Sequence, residues 1–147
     1  MSTGGVVRCS GMDKGRLGNS SGTEYLHSGL TRRIVGAAID VHRALGPGLL
    51  ESVYRKCLSH RLSELEIAHR LEVALPIEFR GTMLDCGYRM DLVVEERVVV
   101  ELKAVDRLAP VHDAQLLTYL KLSGLRVGLI LNFNSPTLRQ GIRRLIR

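Results

Sequence analysis

The sequence predicts an α/β domain, a mixed central β-sheet flanked by helices, and three observations carry that expectation. "TRRIVGAAIDVHRAL", from Thr31, repeats Ile34, Ala38, Val41 and Leu45 at helical spacing. "GYRMDLVVEERVVVELKAV", residues 87–105, runs apolar for most of two strand lengths. "PVHDAQLLTYLKLSG" then reads as a helix, and "LRVGLILNF" as a strand buried on both faces. A strand–helix–strand passage over 98–132 makes a right-handed crossover and sets its two strands parallel. That is the layered arrangement of an α/β sheet.

Each element has its own signal. Residues 1–28 are rich in Gly and Ser with little apolar periodicity, so a disordered extension is expected ahead of one domain over 29–147. Thr31 is available as the cap of the first helix, and "GPG" at 46–48 ends it. A second helix is expected from about Leu49 to Leu65, turning Leu50, Val53, Cys57, Leu58, Leu62 and Leu65 toward a core. In "HRLEVALPIEFRG", Leu71, Val73, Leu75, Ile77 and Phe79 alternate as one strand, with Pro76 at an edge or bulge and Gly81 at its end. Two further strands, roughly 87–95 and 97–104, form a hairpin. The third helix follows Pro110, has Leu116, Leu117 and Leu120 as its apolar stripe, and is closed by Gly124. A last helix, about 136–146, is expected to carry Arg139, Arg143 and Arg144.

Composition narrows the function classes. A length of 147 residues suits one domain, and 45% apolar with 24% charged residues is ordinary for a globular protein. No apolar run reaches the ~18 residues of a membrane span. Residues 1–22 lack the apolar stretch of a signal peptide, and the cytoplasm is the expected location. Cys9, Cys57 and Cys86 form no CxxC pair and have no histidine at ligand spacing, which argues for free thiols and against zinc. The net charge of +6 suits a phosphate-rich partner. No GxxxxGK[ST] motif is present, and two Phe with four Tyr are too few for a stacking platform.

The apolar hairpin is interrupted by Asp91, Glu101 and Lys103, and buried charges are costly unless paired or bound to metal. Strand side chains alternate between faces. Leu92, Val94, Val98, Val100 and Leu102 share one parity and are all apolar; Asp91, Val93, Val99, Glu101 and Lys103 share the other. A three-residue reversal centred on Glu96 sets Asp91 opposite Glu101, and a slip of one residue would turn the apolar set out of its core. Two carboxylates side by side, with a lysine two residues beyond, are hard oxygen donors of the kind Mg²⁺ takes. The plainer alternative is an ion pair of Lys103 with either acid at the rim of the sheet.

The order Asp-x9-Glu-x-Lys, followed by a helix bearing Gln115, resembles the PD-(D/E)xK nuclease superfamily of restriction-endonuclease-like fold. "GPGLLESVY", containing Gly48-x-x-Glu51-x-x-Tyr54, resembles more closely the GxxExxY family within it, as do "LDCGYRMDLVV", "VELKAV", "HDAQLLTYLKL" and "GLILNF". The resemblance runs from about Thr31 to the C-terminus. It implies an αβββαβ core and a metal-dependent nuclease, acting on DNA, with Mg²⁺ or Mn²⁺ held by Glu51, Asp91 and Glu101. Lys103 would assist the attacking water, and Gln115 with Tyr119 would position phosphate or water. Nucleic acid is the implied partner, with a homodimer or a protein partner supplying target choice. The competing expectation is a regulatory module on the same fold that binds nucleic acid or protein without cleaving.

Overall fold

In the computed structural model, which describes residues 26–147, the chain runs α1 (Ser28–Leu45), α2 (Glu51–Glu64), β1 (His69–Ala74), β2 (Ile77–Phe79), β3 (Thr82–Leu84), β4 (Arg89–Val94) and β5 (Val98–Lys103). It continues with α3 (Pro110–Ser123), β6 (Val127–Asn132), a 3-10 turn (Leu138–Gly141) and β7 (Ile142–Ile146). Five strands form one sheet in the order β1-β4-β5-β6-β7; only β5 and β6 are parallel, as the crossover through α3 requires. Among the described residues, no helix is long and apolar enough to cross a membrane.

The two parities of the hairpin sort onto two cores. Leu92, Val94, Val98, Val100 and Leu102 are buried with Ile34, Ala38 and Val41 of α1 and with Tyr54, Leu58 and Leu62 of α2. Val93 and Val99 are buried on the other face with Leu116, Tyr119 and Leu120 of α3. All six residues of β6 are buried, as a strand covered on both faces must be.

Several expected elements take a different form. The segment expected as a last helix is the 3-10 turn and β7, which pairs antiparallel with β6 from Val127–Ile146 to Leu131–Ile142. Leu138, Ile142 and Leu145 have helical spacing, but the backbone groups along the free side of buried β6 need partners, and the tail supplies them. "HRLEVALPIEFRG" is likewise two strands. Pro76, which has no N–H to give a ladder, ends β1, and β2 leaves to pair with β3 across the left-handed turn of Arg80 (φ 50°) and Gly81 (φ 81°). Thr31 lies inside α1, its hydroxyl donating to Ser28 O at 3.0 Å, while His27 holds the cap position. Leu50 sits ahead of α2 and is 73% exposed, and Leu45, Val53, Leu71 and Leu117 are also exposed. Cys57 and Cys86 are free, and Cys9 lies outside the described residues. So does the expected extension, except for its last residues, where Leu26 already packs on the core.

Gly128 of β6 sets how closely α3 rides on the sheet: a Cβ there would come within 2.7–2.8 Å of three side-chain carbons of fully buried Leu116. Gly128→Ala therefore overpacks this face and should lower stability by ~1–3 kcal/mol. Urea unfolding checks this, and an unchanged midpoint would contradict it.

Candidate active site

β4 and β5 pair with Leu92 opposite Val100, Val93 opposite Val99 and Val94 opposite Val98, and the same register brings Asp91 level with Glu101. Glu95 and Glu96 make the reversal in left-handed conformations (φ 49° and 54°), closed by Arg97 N–H donating to Val94 O at 3.0 Å. Beyond Leu92 and Val100, side chains take over the ladder. The N–H of Asp91 donates to Glu101 Oε1 at 3.1 Å, and the N–H of Leu102 donates to Asp91 Oδ2 at 2.9 Å. Each carboxylate is thus held by a main-chain donor of the other strand.

Glu101 is only 4% exposed. Burial, and then the negative charge of Asp91, push its pKa up to about 8; a hydrogen bond between the two carboxyl groups adds to this, while the Asp91 N–H and the Lys103 ammonium oppose it. Glu101 therefore keeps its proton near neutrality, held beside the Asp91 carboxylate.

Lys103 takes part in no ion pair among the described residues, so the rim ion pair is not what it forms. Its ammonium donates instead to Gln115 Oε1 at 3.0 Å, and the Gln115 amide donates to the Tyr119 hydroxyl at 2.9 Å. Gln115 and Tyr119 stand one turn apart on α3 and so share a face. Burial raises the pKa of Tyr119; the bond from Gln115 opposes this, and the negative charges of Glu101 and Asp91 reinforce it. The edge of the Tyr88 ring closes on Tyr119, with centroids 6.1 Å apart. Asp91, Glu101, Lys103, Gln115 and Tyr119 are accordingly brought together.

Glu51 is not gathered with them. It is exposed at the first residue of α2, where the helix macrodipole favours a carboxylate. Among the described residues, no group of three or more His, Cys, Asp or Glu could hold a metal ion. What α2 brings to the site is Arg55, one turn further along, which donates to Asp91 Oδ1 at 3.1 Å and pairs with Glu72 Oε1 at 3.2 Å. The β1–β4 register steps from Leu71–Leu92 to Val73–Met90, which sets Glu72 opposite Asp91, and Glu72 has a left-handed backbone (φ 47°). A non-glycine residue in that conformation inside a strand is a strain that tends to mark functional sites. For Arg55 the only sequence signal is its spacing of four from Glu51; for Glu72 there is none.

The remaining motif residues are structural. Gly48 has φ 102°, and the buried Tyr54 hydroxyl donates to Gly46 O at 2.5 Å while accepting from Leu49 N–H at 3.1 Å, pinning the turn that leads into α2. His112 accepts from Ala109 N–H at 2.9 Å and caps α3, and Arg89 pairs with Asp85 at 3.2 Å.

A five-stranded mixed sheet flanked by three helices, with an aspartate and a Glu-x-Lys on adjoining strands, defines a protein of restriction-endonuclease-like fold. A family model described as the PD-(D/E)XK nuclease superfamily matches residues 28–145, and the chain belongs to that superfamily. No curated protein and no solved structure matches it.

Between its ordinary pKa of 4.5 and about 8, Glu101 has lost its proton in the unfolded chain and keeps it in the folded one. Stability should therefore fall as pH rises through that window and level off above it. Denaturation midpoints taken from pH 4 to 9 should decline in the wild type and flatten in Glu101→Gln. Parallel profiles would contradict the raised pKa of Glu101.

Proposed function

We propose that this chain is a metal-dependent nuclease of the GxxExxY branch, hydrolysing phosphodiester bonds in DNA. The Asp91–Glu101 pair, each carboxylate held by a main-chain N–H of the other strand, carries the reading, and the superfamily membership supports a nuclease-type activity. A buried acid held next to a second acid is a donor set that a divalent cation relieves, and Mg²⁺ commonly uses only one or two protein carboxylates, leaving other positions to water and phosphate. Asp91 and Glu101 would hold Mg²⁺ or Mn²⁺, which when bound would polarise a phosphodiester oxygen and lower the pKa of a water.

The protein's own groups do the rest. Arg55 bridges Asp91 to Glu72 and keeps the Asp91 carboxylate oriented from the α2 side. Lys103, steered by Gln115, presents a positive charge on the same face as the acids, where it stabilises negative charge developing on the transferring phosphate. Tyr119 fixes the Gln115 amide and so the direction of the lysine. The excess positive charge of the chain favours a polyanionic substrate and makes binding fall with salt.

Plasmid and linear DNA incubated with Mg²⁺ or Mn²⁺ should be cleaved by the wild type. Asp91→Ala and Lys103→Ala should each slow cleavage ~10²–10³-fold, the usual cost of removing a positioned electrostatic group. Binding without cleavage across metals would instead favour the non-catalytic binding module, and equal rates in the variants would contradict the roles given to Asp91 and Lys103.

A further inference from the structure

We infer that the cavity beside the Gly46–Pro47 turn is a phosphate-binding subsite that holds the nucleic-acid strand next to the catalytic cluster. The inference rests on the nuclease reading for its ligand and on the cavity itself for its place. The cavity has a volume of about 440 Å³, and its walls include Arg43, Arg139, His42 and Thr137 but no carboxylate. Arg43 and Arg139 are exposed, and neither enters an ion pair or a side-chain hydrogen bond among the described residues. Other arginines, Arg32, Arg80, Arg97 and Arg107 among them, are equally without an acidic partner, and what sets Arg43 and Arg139 apart is that the two line one concavity. Two unpaired guanidinium groups flanking a concavity with no acid create a local positive potential. Their planar forks match phosphate oxygens. Ile39 and Leu138 complete the lining with apolar surface suited to a sugar, and the volume falls within the range of ligand pockets rather than that of a single ion.

Position links the cavity to the chemistry. β5 and β6 are parallel with Lys103 paired to Asn132, so the loops that follow both strands leave the same edge of the sheet. Ser135 N–H donates to Asn132 O at 3.4 Å, and the carbonyl of Ser135 accepts from His42 Nε2 at 2.9 Å. Lys103, Asn132, Ser135 and His42 thus connect the catalytic lysine to the cavity wall in three contacts. Ligands of open α/β sheets bind outside the carboxyl ends of the strands, where both features lie. A strand crossing that edge from the α3 side, with Lys103 and Gln115, to the α1 side meets Arg43 and Arg139. The "GPG" turn shapes the cavity, because Gly46 and Pro47 line it and the Tyr54 hydroxyl holds the Gly46 carbonyl.

The test is anisotropy of labelled single-stranded and duplex DNA in EDTA across a salt series, followed by cleavage kinetics with Mn²⁺. Arg43→Ala/Arg139→Ala should weaken binding at least tenfold. It should also reduce the slope of log affinity against log salt by roughly 1.4 for single strands and 1.8 for duplex, the release expected from two phosphate contacts. In cleavage, KM should rise while kcat at saturation stays near wild type, and Lys121→Ala should change neither binding nor slope. Thermal unfolding of the double variant, whose two side chains make no ion pair or side-chain hydrogen bond among the described residues, should stay within a few degrees of the wild type, the cost of losing the Arg43 charge from the last turn of α1. Unchanged affinity and slope in the double variant, or a wild type that binds no DNA, would overturn the subsite. If that unchanged binding accompanies metal-dependent cleavage, the nuclease reading stands alone. Binding that depends on Arg43 and Arg139 with no cleavage under any metal would sustain the subsite and remove the nuclease reading.

Discussion

The reciprocal hold of two main-chain N–H groups on two acidic side chains is the interaction on which the site depends. Asp91 and Glu101 would repel each other if they were merely adjacent. They stay together because the N–H of Leu102 grips one carboxylate, the N–H of Asp91 grips the other, and the proton that Glu101 keeps removes part of the repulsion. Carboxylates accept such donors strongly, so the end of a β-ladder becomes a clamp instead of a fraying edge. The rest of the fold keeps that clamp in place. Valines of one parity anchor the hairpin to α1 and α2, and valines of the other anchor it to α3.

This arrangement costs stability where it is built. A buried acid with a raised pKa and a strand residue forced into a left-handed conformation are both unfavourable in isolation, and they persist only because their surroundings determine them fully. Arg55 is the counterweight on the α2 side, offsetting both Asp91 and Glu72 with one guanidinium. Lys103 donates to a neutral amide and forms no ion pair with either acid among the described residues, so its charge acts on Glu101 only through space. A cluster with two neighbouring acids, an ammonium outside any ion pair and a buried phenol is what the local rules of folding would avoid, and such violations concentrate at functional sites.

Much of this was legible in the chain because it rests on period-two alternation. Parity alone separated the apolar set of the hairpin from Asp91, Glu101 and Lys103, and a three-residue reversal set the register that the strands adopt. Gln115 and Tyr119 were implied by the resemblance, and their spacing of four is what lets them share a face of the helix. What escaped was decided by tertiary contacts. "IRRLI" has the spacing of a helix but serves as an edge strand, because β6 offers it a row of backbone partners. Pro76 announced an interruption without saying that the chain would leave the sheet. No local signal marks Glu72, and Arg55 has only its spacing of four from Glu51. Their meeting at Asp91 depends on how α2 crosses the sheet, which no local pattern encodes.

The carboxyl carbon of Glu101, followed by ¹³C NMR as pH is raised without metal, reports the clamp most directly. Its titration step should fall near 8 and move down toward the ordinary glutamate value of 4.5 in Asp91→Asn, because the Asp91 charge is part of what raises it. A step near 4.5 in the wild type, or one that Asp91→Asn leaves in place, would contradict the clamp.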